Sequence, residues 1–265
     1  MLRTGIFGAA LALTMIGNAT AADIAGDTSG PVEAPAADQW TSNTWRFQIT
    51  PYAWLSGMSG DVRPLAGGPT FSVSKSIGDV LDDLDGAFFL NGTARYNRFV
   101  LFGDLSCAEL SEGNTITGLV PVPIGIEGKV TQASFTAAAG YTVVAEPAFA
   151  VDLLAGVRAW RIKAKVDVPL LGLSASSTNS WADPIVGARA RVALSPKWSV
   201  VAYADVGGGG GAESTWQVLG TVNYQVTDTF VLSAGYRHMT FDYRDNGAVL
   251  DVDMSGPVIG ATLRF

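Results

Sequence analysis

The residues that could do chemistry here are few. His238 and Cys107 are the entire stock of imidazole and thiol in 265 residues. That leaves almost no material for a zinc centre or a thiol–imidazole catalyst. Arginine and aspartate, by contrast, recur at alternate positions of otherwise uncharged stretches. They are Arg46, Arg95, Arg158, Arg189, Arg191, Arg237 and Arg264, with Asp104, Asp152, Asp183 and Asp205. A guanidinium offers five donors in a rigid fork and pairs bidentately with a carboxylate. Such groups on one face of a set of strands have two uses. They brace an enclosed space as a salt-bridged network, or, hydrated, they bias a pore toward anions. Bracing is the preferred reading, since the strands described next enclose only a narrow interior.

Other candidates are weaker. His238 is close in sequence to Asp242, Asp245, Asp251 and Asp253, and a His–Asp pair can activate water. It shares the phase of Tyr236, however, and no full set of nucleophile, base and orienting group can be assigned, so no catalytic residue is named. Ile77, Val80, Leu81 and Leu84 are at helical spacing among Asp79, Asp82, Asp83 and Asp85. They predict a short amphipathic helix in a long loop. The ligand spacing of a calcium loop is missing, and neither a metal nor a cofactor is expected. The glycine run 207–211 lacks the strand-to-helix context of a phosphate cradle. It reads as a flexible strand end and loop.

The elements that must position these groups have a period of two, not 3.6. Alternation marks ten strands, at 45–55, 88–96, 99–110, 130–144, 149–166, 180–194, 198–207, 215–226, 229–243 and 249–265. Tight turns at Asn97-Arg98, Glu146-Pro147, Ser195-Pro196-Lys197 and Thr227-Asp228 alternate with longer connections at 56–86, 111–129, 167–179, 208–213 and 244–248. Short turns on one rim and long loops on the other are the asymmetry of a transmembrane antiparallel up-and-down β-barrel. Ten strands are expected, with eight as the alternative if one hairpin lies outside the wall.

The rest of the chain agrees. Arg3, the apolar stretch 5–17 and Ala19-Thr20-Ala21 have the order of a secretory signal peptide, so 1–21 is assigned to export. Residues 22–44 carry Asp23, Asp27, Glu33 and Asp38 without a hydrophobic period. They read as a flexible acidic periplasmic extension, and 45–265 as the barrel. Hydrophobic residues make up 48% and charged residues 15%, yet beyond the leader no apolar run is long enough for a membrane helix. A closed barrel is the way a β-rich chain satisfies its backbone in lipid. A net charge of −7 argues against nucleic acid as a partner.

The polar phase of these strands holds Ser, Thr, Gln, Asn, Gly, Asp and Arg, not the Lys and Glu of a water-facing wall, so it is assigned to the inside. The apolar phase, which includes Cys107, is assigned to lipid. Aromatics gather at its two ends. Trp45, Tyr96, Phe99, Tyr141, Phe149, Trp198, Tyr224, Phe230 and Phe265 are near the short turns, and Phe88, Trp181, Trp216 and Tyr236 near the long loops. Two such rings mark two membrane interfaces.

On these residues the chain resembles the outer-membrane β-barrel superfamily of Gram-negative bacteria, the small porin-like and OmpA-type membrane barrels. Ile259, Ala261, Leu263 and the terminal Phe265 resemble the signal read by the barrel-assembly machinery. Asp205-Val206-Gly207-Gly208, Trp216-Gln217 with Gly220 and Tyr224, Gly235-Tyr236-Arg237 and Ser255-Gly256-Pro257 resemble one branch of it. That branch tends to carry Tyr in place of His238 and fewer glycines at 207–211. The resemblance implies the outer membrane as the location, with its lipid, lipopolysaccharide and assembly machinery as partners. It attaches no activity. A structural or weakly porin-like role is expected. The alternatives are a small anion-biased pore, a rim-active enzyme, or an adhesin or binding surface made by the long loops.

Overall fold

The computed structural model describes residues 41–63, 70–116, 124–245 and 247–265. The expected signal peptide (1–21) lies outside them, as does the acidic extension (22–44) apart from 41–44. Twelve strands form one antiparallel sheet. They are β1 (Arg46–Trp54), β2 (Gly57–Arg63), β3 (Phe71–Lys75), β4 (Leu84–Tyr96), β5 (Phe99–Ile116), β6 (Ile124–Glu146), β7 (Phe149–Val168), β8 (Leu173–Ala193), β9 (Trp198–Gly207), β10 (Ala212–Gln225), β11 (Phe230–Asp245) and β12 (Ala248–Arg264). Ten of them, β1 and β4 to β12, close into a barrel because β1 pairs with both β4 and β12. Gln48 is in register with Thr93 on one side and with Arg264 on the other. The eight-stranded alternative is therefore set aside.

The two extra strands correct the first long connection. The stretch 56–86 is not a loop with a helix alone. After a break at Leu55–Ser56, β2 continues the line of β1 along β12, from Met58↔Met254 to Arg63↔Val249. β3 returns beside β2, and the expected helix follows as α1 (Ile77–Asp82). Ser76 caps it. Its Oγ accepts from the Asp79 N–H, and the Asp79 carboxylate accepts from the Ser76 N–H at 2.9 Å, a reciprocal capping box. Lys75 donates to Asp83 at 2.5 Å and also to Glu112, tying this excursion to β5.

The other long connections are corrected too. β5 and β6 run on to Ile116 and from Ile124, and β7 and β8 leave only a single 3-10 turn, Pro169–Leu171, between them. Between β11 and β12 only residues 246 and 247 intervene. The long rim is thus built mostly of extended strands and not of loops. On the short-turn rim Asn97 takes a φ of +51°, a conformation that asparagine tolerates in tight hairpins.

The wall has the expected two faces. Leu101, Phe135, Leu153, Val157, Val186, Val206, Val218 and Ile259 are exposed on the outside. Aromatics flank them, with Trp45 beside Tyr96, Phe47 beside Phe265 and Phe99 beside Tyr141 at the short-turn end. Trp181 is the exception. Its place near a long connection points to the outer belt, but it shares the parity of Asp183 and is buried inside the barrel.

Candidate functional site

The side chains inside the barrel form three levels. The eleven charged residues singled out from sequence all lie on the inward phase, but they are not one cluster. Asp152 is the hub nearest the short turns. Arg95 approaches it with Nη1 at 3.1 Å and Nη2 at 2.8 Å, and Arg189 with Nε at 3.0 Å and Nη2 at 2.9 Å. The Thr142 hydroxyl donates a further bond at 2.7 Å. A carboxylate holding two guanidinium forks is fully committed. Arg189 also donates to Thr93 at 3.1 Å, and its guanidinium stands 5.7 Å from the centre of the Phe102 ring.

The middle level is a chain of polar groups across the lumen. Arg158 Nη2 donates to Asp205 Oδ2 at 2.6 Å, Nε to Thr136 at 3.1 Å and Nη1 to Thr215 at 3.3 Å. Asp205 also accepts from the Tyr203 hydroxyl and the Gln217 amide, each at 2.6 Å. Gln217 then accepts from Arg237 Nε at 2.9 Å, and Arg237 Nη1 donates to the Tyr52 hydroxyl at 2.9 Å. Tyr52 in turn donates to Asp104 at 3.0 Å. The chain thus spans β7, β9, β10, β11, β1 and β5.

Above it, toward the long rim, the inward phase turns apolar. Trp54, Trp160, Trp181, Met239, Phe241, Tyr243, Leu250, Val252 and Met254 form one buried cluster. Trp160 packs 4.7 Å from Phe241, and Trp181 stacks 4.1 Å from Tyr243, centre to centre. Trp54 joins the levels by lying 4.6 Å from the Arg237 guanidinium. Sequence reasoning missed this plug. Its signal was present, since all these residues share parity with lumen charges further down the same strands.

Asp183 departs from expectation. It stands in register with Arg158, yet its Oδ1 accepts from the backbone N–H groups of Gly210, Gly211 and Ala212 at 3.1, 2.9 and 3.0 Å. The glycine run is therefore not a loose strand end. It is folded inward against β8. A Cβ on Gly210 would lie 2.0 Å from the Ala182 carbonyl oxygen, and one on Gly211 would lie 2.3 Å from Trp181 Cβ. Only glycine fits that approach.

Below the network, a cavity of about 520 Å³ occupies the short-turn half, bordered at the rim by Ser195–Trp198. It ends against Tyr52, Gln217 and Arg237. Arg191 and Arg264 line it. Arg46 faces Arg95 across the β1–β4 ladder. A second cavity, about 190 Å³ and mostly apolar, lies where β4 parts from β1, among Met58, Leu81, Leu84 and Leu110.

The remaining candidates are on the outside. His238 packs at a tilt of 42° against Trp216 with ring centres 4.9 Å apart, and its Nε2 is 4.0 Å from Asp253. Cys107 is half-buried and unbridged. Among the described residues no group of three or more His, Cys, Asp or Glu is placed to hold a metal ion. In the assembly-signal segment, Ile259, Leu263 and Phe265 are exposed on the outer face.

The sequence matches no family model and no curated protein. The fold does match solved structures. The outer membrane protease OmpT of Escherichia coli is 11% identical, with 84% of this chain and 98% of that one covered at a TM-score of 0.52. The translocator domain of the autotransporter NalP of Neisseria meningitidis is 13% identical, with 88% and 93% covered at 0.48. The attachment invasion locus protein Ail of Yersinia pestis is 16% identical, with 83% and 98% covered at 0.33. At 11% identity the likeness to OmpT is one of fold alone.

Proposed function

We propose that this chain, which has the fold of the outer-membrane β-barrels, is a closed, internally braced barrel of the bacterial outer membrane rather than an open porin. The observation that carries this reading is the continuous fill of the upper lumen, with an aromatic plug directly over a polar chain that reaches from Arg158 to Asp104. The exposed apolar outer wall and its aromatic ends support a place in lipid. The leader-like residues 1–21 support export. Lipid and lipopolysaccharide around the wall and the assembly machinery at Ile259, Ala261, Leu263 and Phe265 are the partners in this reading. Nucleic acid is not among them.

We assign no catalysis. His238 is engaged with Trp216 on the outer wall and has only a distant carboxylate beside it. The reading is tested by reconstituting the refolded full chain in planar bilayers under a salt gradient. Steps of current no larger than the bilayer's own noise are expected. Stable, reproducible channels in the wild type would refute closure.

A further inference from the structure

The cavity in the short-turn half has an unusual lining. Among the described residues it includes Arg189, Arg191, Arg237, Arg264 and Lys197, and no carboxylate, in a chain whose net charge is −7. Arg189 and Arg237 belong to its inner end, and their charges are answered from behind by Asp152 and Asp104. Arg264 is different. Among the described residues it has no carboxylate within ion-pairing distance. One donor reaches Gln225 Oε1 at 3.2 Å, and its Nε is buried with no acceptor. A guanidinium that lines a cavity with only a neutral amide oxygen beside it is suited to pair with an anion that enters. The wall beside these cations is not polar throughout. Phe102 and Tyr203 are stacked 5.4 Å apart on it, and Leu219 and Val258 also line the cavity.

We infer that this cavity binds a small organic anion, a carboxylate or phosphate monoester carrying a compact apolar body, admitted from the short-turn rim. The charged end pairs with the guanidinium of Arg264, where bidentate geometry suits carboxylate and phosphate alike, and Arg191 adds positive charge to the same lining. The apolar body lies along the Phe102–Tyr203 face. Lys197 at the rim adds long-range attraction that salt weakens. At about 520 Å³ the space falls within the roughly 300–1,000 Å³ of small-molecule sites. The inference goes beyond the closed-barrel reading and does not require it, since an anion site persists even if its inner end leaks.

Isothermal titration of the refolded full chain in detergent tests it, with phenyl phosphate as the probe, inorganic phosphate to isolate the charge, and benzyl alcohol to isolate the ring. Phenyl phosphate should bind at one site, more tightly than inorganic phosphate and more weakly as salt rises, and benzyl alcohol should give no binding heat. Arg264→Gln and Arg191→Gln should each weaken phenyl phosphate at least tenfold. Arg161→Gln, exposed on the outer wall, should leave it unchanged. If a buried variant fails to fold, Lys197→Gln on the exposed turn carries the comparison, with a smaller loss that vanishes at high salt. No heat from phenyl phosphate with the wild type, or equal affinity in the cavity variants, overturns the inference. Bilayer recording on the same preparation separates the two readings. A conducting chain with an intact, Arg264-dependent heat refutes closure alone, and a silent chain without heat refutes the anion site alone.

Discussion

Arg158 Nη2 stands 2.6 Å from Asp205 Oδ2, and neither side chain has any exposed surface. The two belong to β7 and β9, with β8 between them, so the pair is a chord across the lumen and not a ladder contact. Arg158's neighbour in register, Asp183, is instead spent on the N–H groups of residues 210–212. Each lumen carboxylate therefore has its own duty. Asp205 and Asp152 tie the wall to itself, and Asp183 holds a loop in place.

A buried pair of this kind can be exchanged for apolar groups more cheaply than it can be broken. The double variant Arg158→Met with Asp205→Leu should recover much of the stability lost by either single change. A double-mutant cycle on the unfolding temperature reads the coupling. Simple additivity of the two losses would show that the residues act independently.

The outward assignment is checked at Leu153 and Val186, both more than half exposed on the wall. Arginine at either position should destabilise the barrel by about 2–4 kcal/mol if it lies near the lipid midplane. Refolding yield in phospholipid vesicles, read by heat-modifiable gel mobility, should fall for both variants. Normal yield for both would invert the inside–outside assignment.

Much of this was legible in the sequence. A period of two with one uncharged apolar phase specifies a membrane strand, and counting the phases yields the ten wall strands. The failures have physical causes. Toward the long rim the outward phase turns polar, as at Glu109, Lys129 and Lys163, so the alternation fades and strand is taken for loop. Stretches 57–63 and 71–75, rich in Gly and Ser, carry too little contrast to mark a hairpin. The charged lumen phase was visible, but its pairings were not. Sequence register brings Arg158 to Asp183 on the adjacent strand, whereas the side chain reaches past it to Asp205. Trp181 has the position of a belt residue but the parity of the lumen, and parity decides its side.

The glycine run offers a graded test. Gly210→Ala and Gly211→Ala should push the loop off Asp183 and disturb Trp181, since the added methyls would meet Ala182 and Trp181 at 2.0 and 2.3 Å. Both should lower the unfolding temperature and change near-ultraviolet circular dichroism from the aromatic plug. Gly220→Ala, with nothing within 4 Å of the new methyl, should do neither. Equal effects at all three sites would remove the special role of residues 210 and 211.

The excursion carrying α1 should respond to alkali. Burial alone would lower the Lys75 ammonium, but its hydrogen bonds with Asp83 and Glu112 outweigh that and hold it above lysine's ordinary 10.5. A group raised on folding contributes fully below its unfolded value, and the contribution is lost as pH climbs through the folded one. Subtilisin, which stays active in alkali, should cut around Leu81–Leu84 faster in Lys75→Met at neutral pH. The wild type should approach the variant's rate only above pH 10.5. Matching rates at pH 7 would mean that the tether holds nothing.

The most direct measurement is the unfolding temperature of Asp205→Asn in detergent, at low and at high salt. Removing one member of a fully buried, hydrogen-bonded pair typically costs about 3–5 kcal/mol. A braced lumen therefore requires a clear drop in unfolding temperature that salt does not erase. An open, hydrated lumen would make the pair worth about 0–1 kcal/mol, and an unfolding temperature equal to that of the wild type would contradict the closed barrel.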